Sequence, residues 1–143
     1  MARARPWHLP VIGWLAVIWT AFNVLDYLLT RFEVRPFLDL FPPAVVNYFL
    51  TLPLWLDLAW AVGVWSGFAG ALCLVARARA AALLMGLAAV AFLLLTLGLV
   101  FLTAPPMEMV TGPLGVWIMA GSTAIYALFW LYARAEHMVG DLP

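Results

Sequence analysis

A chain of 143 residues that is 67% hydrophobic, 10% charged and formally neutral is too apolar for a soluble domain, which is roughly half apolar and a quarter charged. The balanced charge excludes the basic footprint of a nucleic-acid binder. The single cysteine, Cys73, lies in an apolar run, which excludes a disulfide framework and a cysteine-based metal site and leaves a buried structural thiol as the expectation.

A spanning helix needs about 20 mostly apolar residues. Val11–Thr30 is the first such segment, interrupted by Asn23 and Asp26. Arg3 and Arg5 ahead of it resemble the start of a signal peptide, but the apolar run continues to Leu29 with no small-x-small cleavage site, so an uncleaved first span is expected. Leu54–Ala76 is the second and carries Asp57; Ala80–Thr103 is the third and carries no charge; Leu114–Ala133 is the fourth. Lipid requires each segment to satisfy its own backbone polar groups, and none alternates in polarity, so helices are expected rather than strands. The fold class is therefore an all-α four-helix transmembrane bundle, one domain over residues 1–143.

The connections differ. Ala76–Ala80 is a tight turn that makes the second and third spans antiparallel neighbours. The Arg31–Pro53 connection holds Pro42-Pro43 and then Val45, Val46, Phe49 and Leu50 at helical spacing, which predicts a short interfacial helix over about 43–52. Ala104–Pro113, with Pro105, Pro106, Gly112 and Pro113, is expected to be extended. Arg3, Arg5, Arg77, Arg79 and Arg134 fall on one side of the bundle, and only Arg31 and Arg35 on the other, so both termini are expected to be cytoplasmic.

Asn23 and Asp26 share a helix face. Asp26 lies about 6 Å and Asp57 about 5 Å inside the outer ends of their antiparallel spans, at 1.5 Å per residue. The two carboxylates thus reach a similar depth, and Asn23, Asp26 and Asp57 are the candidates for an outward-facing polar pocket. The structural alternative is that Asp57 serves the positive end of its helix and that Asp26 meets water or pairs with Arg31 or Arg35. Ala59, Gly63, Gly67 and Gly70 form a small-residue ridge on the second span, suited to packing against the first or third span or to self-association. Ala120–Ala124, with Gly121, is a weaker version on the fourth. Trp7, Trp55, Trp117 and Trp130 suit an interfacial belt. His8 and His137 lie outside the spans and lysine is absent, so no mid-membrane histidine ligand and no Schiff base can form. No catalytic set, metal motif or phosphate loop appears, and no enzyme activity or cofactor is expected.

Residues 19–79 resemble a family of small four-span proteobacterial membrane proteins, many of them labelled "sugar transporter". The likeness rests on Trp19, Asp26-Tyr27, Thr30, Phe41, Tyr48-Phe49, Pro53, Trp55, Trp60-Ala61, Gly63-Val64-Trp65, Gly67, Gly70 and the Arg77-x-Arg79 turn. Thr20 and Asn23 depart from it, since relatives tend to carry Asn after the Trp and a small residue further on. The resemblance implies four spans and an inner-membrane home. Three functional readings stay open: a non-enzymatic protein that acts through helix packing, as a homo-oligomer or an accessory subunit of a membrane complex; a small-solute carrier or binding protein that uses the outer polar residues; and, ranked last, a membrane-embedded enzyme or lipid-binding protein that uses the Asp26 and Asp57 pair. The lipid bilayer is a partner in all three.

Overall fold

Hydropathy decides where the helices lie. A computed structural model of the chain describes residues 6–142; Arg3 and Arg5, which carry part of the expected charge asymmetry, lie outside the described residues. Helices α1 (His8–Arg31), α2 (Arg35–Leu38), α3 (Pro43–Leu50), α4 (Leu54–Val75), α5 (Ala80–Leu97) and α6 (Met107–Met138) follow one another, with a π-helical stretch, Gly98–Leu102, extending α5. Four of these elements are long and apolar enough to cross a membrane: α1, α4, α5 with its π-helical stretch, and α6. At 1.5 Å per residue the 24 residues of α1 reach about 36 Å, enough for a hydrocarbon core of about 30 Å. The protein is an all-α, multi-pass integral membrane protein.

In space α1 packs on α4, α4 on α5, and α5 on α6. α4 is the centre of this arc, and its glycines make it so. A side chain at Gly63 would meet Phe92 of α5, one at Gly70 would meet Met85 of α5, and one at Gly67 would meet Tyr126 of α6. The ridge therefore packs inside the bundle against the third and fourth spans. Tyr126 is 0% exposed and stacks on Phe92 with ring centroids 4.3 Å apart. The α5–α6 seam also holds a hydroxyl pair, Thr96 and Thr123, 2.8 Å apart.

One end of the bundle carries the long connections, and the other carries the tight turn, the start of α1 and the end of α6. The turn needs no glycine. Arg77 itself takes the left-handed conformation (φ 59°), the Ala78 N–H reaches back to the Cys73 carbonyl at 2.8 Å, and the Arg77 N–H reaches the Leu74 carbonyl at 3.2 Å. This is a Schellman motif. Glu33 (φ 50°) ends α1 in the same way, and Gly140 (φ 83°) ends α6. At the tight-turn end His8 Nδ1 lies 2.6 Å from the Tyr132 hydroxyl, which joins α1 to α6. Leu142 folds back to bury itself beside Leu9, Leu74 and Ala133. Arg77 Nη2 donates to the Asp141 carbonyl at 3.1 Å and holds that tail in place. Cys73 is half-buried in the same cluster as a free thiol.

The Ala104–Pro113 connection is not extended throughout. Met107–Thr111 forms a helical turn, and the chain breaks at Gly112 (φ 74°, ψ 179°) before Pro113 restarts the helix. Pro105, Pro106 and Pro113 together suggest a loop, but only Pro105 lies outside the helix and its cap. Pro106 instead caps the start of this segment, and proline is tolerated in a helix's first turn. Only glycine reaches the Gly112 conformation without strain.

Candidate functional site

The long-loop end is built around Arg31, the last residue of α1. Its Nε lies 2.9 Å from Asp57 Oδ1, an ion pair whose N–H is not aimed at the oxygen. Its Nη2 donates to the Phe49 carbonyl of α3 at 2.7 Å, and its guanidinium lies 5.5 Å from the centre of the Trp60 ring. Tyr27 meets Trp60 edge-on at 5.0 Å. Asp57 falls in the first turn of α4, where the helix dipole adds to the attraction of the cation.

Arg31 also fixes α3, which is too short to cross the membrane. On the other side of α3 the neighbouring Tyr48 hydroxyl lies 2.8 Å from Thr103 Oγ1 and 3.3 Å from the Leu99 carbonyl. Adjacent residues of α3 are therefore pinned to opposite walls, one to α1 and one to the end of α5. Burial pushes the Tyr48 phenol above its ordinary value, so it stays a neutral hydrogen-bonding group.

Beneath this roof lies a cavity of about 260 Å³. Asp26 and Thr30 of α1 line one side; Met107, Thr111, Gly115 and Ile118 line the other. Phe37, Phe41, Val46, Phe49 and Trp60 supply most of the remaining wall, and the surface is predominantly apolar. Asp26, Phe41 and Ile118 line it and are also exposed, so its mouth lies between α1 and α6 at the edge of the bundle. Gly112 gives the α6 wall its bend.

The three polar residues expected to share one pocket do not converge. Asn23 Nδ2 donates to the Trp19 carbonyl one turn back at 2.7 Å. Asp57 is held by Arg31. Asp26 alone lines the cavity, and among the described residues its carboxylate has no hydrogen-bond or ion-pair partner. Its expected pairing with Arg31 is not made, because Arg31 turns to α4. Of the ridge residues, Gly63, Gly67 and Gly70 lie in helix contacts, and Ala59 packs at the edge of the same apolar cluster.

Thr111 joins the site without any signal in the sequence, because the bend at Gly112 brings it to the cavity. Thr30 and Thr111 both turn their hydroxyl protons inward. Thr30 Oγ1 donates to the Asp26 backbone carbonyl at 2.8 Å, and Thr111 Oγ1 donates to the Met107 carbonyl at 3.0 Å. Only their lone pairs are left for the cavity. No group of three or more histidine, cysteine or acidic side chains that suits a metal ion occurs among the described residues.

Comparison with family models, curated proteins and solved structures finds no match to this chain, so the site is read from its geometry.

Proposed function

We propose that this membrane protein is a non-enzymatic binding protein or carrier for a small molecule held in the cavity between α1 and α6. The observation that carries this reading is the Asp26 carboxylate: it lies within a span, it lines an apolar cavity, and among the described residues it has no counter-charge. An ionisable group held at membrane depth is costly and marks function more often than architecture. Orientation belongs to the same proposal. Among the described residues, Arg77, Arg79 and Arg134 lie toward the tight-turn end and only Arg31 and Arg35 toward the other, which favours cytoplasmic termini and an outward-facing cavity in a bacterial inner membrane. The ligand reaches the mouth from the outer leaflet or from the water above it.

Native mass spectrometry of protein purified from its own membrane tests the reading. The wild type retains a small-molecule adduct that Val46→Trp, which fills the cavity from its roof, has lost. Identical adducts on both proteins would sink the reading.

A second reading follows from α6. Trp117, Ala120, Gly121 and Ala124 face outward, and a side chain at Gly121 would meet nothing within 4 Å. This face suits a homo-oligomer or an accessory subunit of a larger membrane complex. If it is an interface, Gly121→Ile dissociates the assembly in mild detergent; a single monomeric species for wild type and variant alike counts against it.

A further inference from the structure

The wall of the cavity specifies the charge of what it holds. Ionised, the Asp26 carboxylate contributes only acceptors. Thr30 and Thr111 have committed their protons to backbone carbonyls, so they too offer acceptors. The one side-chain N–H left in the lining is the indole of Trp60. No arginine lines the cavity among the described residues; Arg31, next to the lining residue Thr30, lies over the Trp60 ring, but Asp57 and the Phe49 carbonyl occupy it. A carboxylate or phosphate ligand would face Asp26 with no cation to receive it. A sugar would bring many hydroxyls to a wall that is mostly Phe, Val, Leu and Met and would leave most of them without partners. At about 260 Å³ the space falls below the range of about 300–1,000 Å³ typical of drug-sized ligands.

We propose that the cavity binds a small protonated amine with a compact apolar body, its ammonium set against the Asp26 carboxylate and its body among Phe37, Phe41, Phe49 and Trp60. This rests on the binding reading above and narrows it to one ligand class. The N–H groups of an ammonium are what an acceptor-only polar edge requires. Aromatic side chains around the body stabilise it by area and by their negative ring faces. A charge-assisted bond between an ammonium and a carboxylate is roughly twice as strong as a neutral one.

Calorimetry in zwitterionic-lipid nanodiscs, with empty discs subtracted, tests this with three probes of one shape: phenethylamine, phenethyl alcohol and hydrocinnamate. The wild type binds the amine at least about tenfold more tightly than the alcohol, and the carboxylate most weakly. Asp26→Asn removes the preference for the amine, Asp26→Glu keeps it, and Val46→Trp loses both amine and alcohol. Equal binding of amine and alcohol, unchanged in Asp26→Asn but lost in Val46→Trp, overturns the amine assignment and leaves the cavity as a binding site. No binding of any probe to the wild type, or undiminished binding to Val46→Trp, overturns both.

Discussion

Arg31, at the end of α1, gives its charge to Asp57 of α4 at 2.9 Å rather than to Asp26, which lies five positions earlier on its own helix. One choice of partner thus closes a cross-helix link and leaves a second carboxylate unpaired beside a cavity. Both side chains of the pair are less than one-quarter exposed, so the pair is shielded from solvent screening more than a surface pair would be. Arg31→Leu and Asp57→Asn each destabilise the protein, and a double-mutant cycle of thermal unfolding in detergent gives a coupling of about 0.5–3 kcal/mol. Strict additivity of the two substitutions would show that the pair contributes nothing.

Two glycines predict opposite signs. A Cβ at Gly67 would lie 2.5 Å from Cε1 of Tyr126, whose ring is stacked and cannot retreat. Gly67→Ala therefore costs about 1–3 kcal/mol. Gly121 lies in the interior of α6 with open space around it, and Gly121→Ala gains about 0.5–1 kcal/mol from the alanine's lower conformational entropy in the unfolded chain. Melting temperatures in one detergent compare the two directly, and a loss at both positions would contradict the packing described here.

The buried Tyr126 hydroxyl has no hydrogen-bond partner among the described residues. The ring is needed where it is, but the oxygen is not. Tyr126→Phe raises stability by about 1 kcal/mol, because it removes an unsatisfied polar group and keeps the stacking. Tyr126→Ala empties the notch over Gly67 and lowers stability by about 3–5 kcal/mol. A destabilised Tyr126→Phe would reveal a partner for the hydroxyl.

Glu33 is an exposed residue in a left-handed conformation, at the Schellman end of α1. Glycine adopts that conformation without a Cβ penalty, so Glu33→Gly raises the melting temperature, by about 0.5–1 kcal/mol in free energy after its own entropy is counted. Arg77 makes the same turn, but glycine there also removes the guanidinium bond to Asp141, so no net gain is expected at that position.

Those two turns show what the sequence made legible and what it hid. Apolar segments of about 20 residues mark the spans, since lipid accepts little else, and the proline pair at Pro42-Pro43 marks α3. Left-handed Glu33 and Arg77 carry no such mark, because their conformation is imposed by the helix ends that they close. The bend at Gly112 was hidden among prolines that suggested a loop. Depth was readable for Asp26 and Asp57, but pairing was not: the rotation of α1 against α4 decides which carboxylate Arg31 meets, and that rotation depends on interhelical contacts such as Gly13 of α1 against Val75 of α4. The link from His8 to Tyr132 spans nearly the whole chain, and nothing local announces it.

Thiol labelling tests most directly whether position 26 opens on a cavity at the long-loop end. In a Cys73→Ser background, Asp26→Cys is compared with Phe22→Cys and Leu25→Cys, which replace side chains exposed on the outside of the same helix. A membrane-impermeant cationic thiol reagent added from the long-loop side modifies Asp26→Cys and leaves the two lipid-facing positions untouched. An Asp26→Cys thiol as unreactive as the one at position 25 would contradict the account.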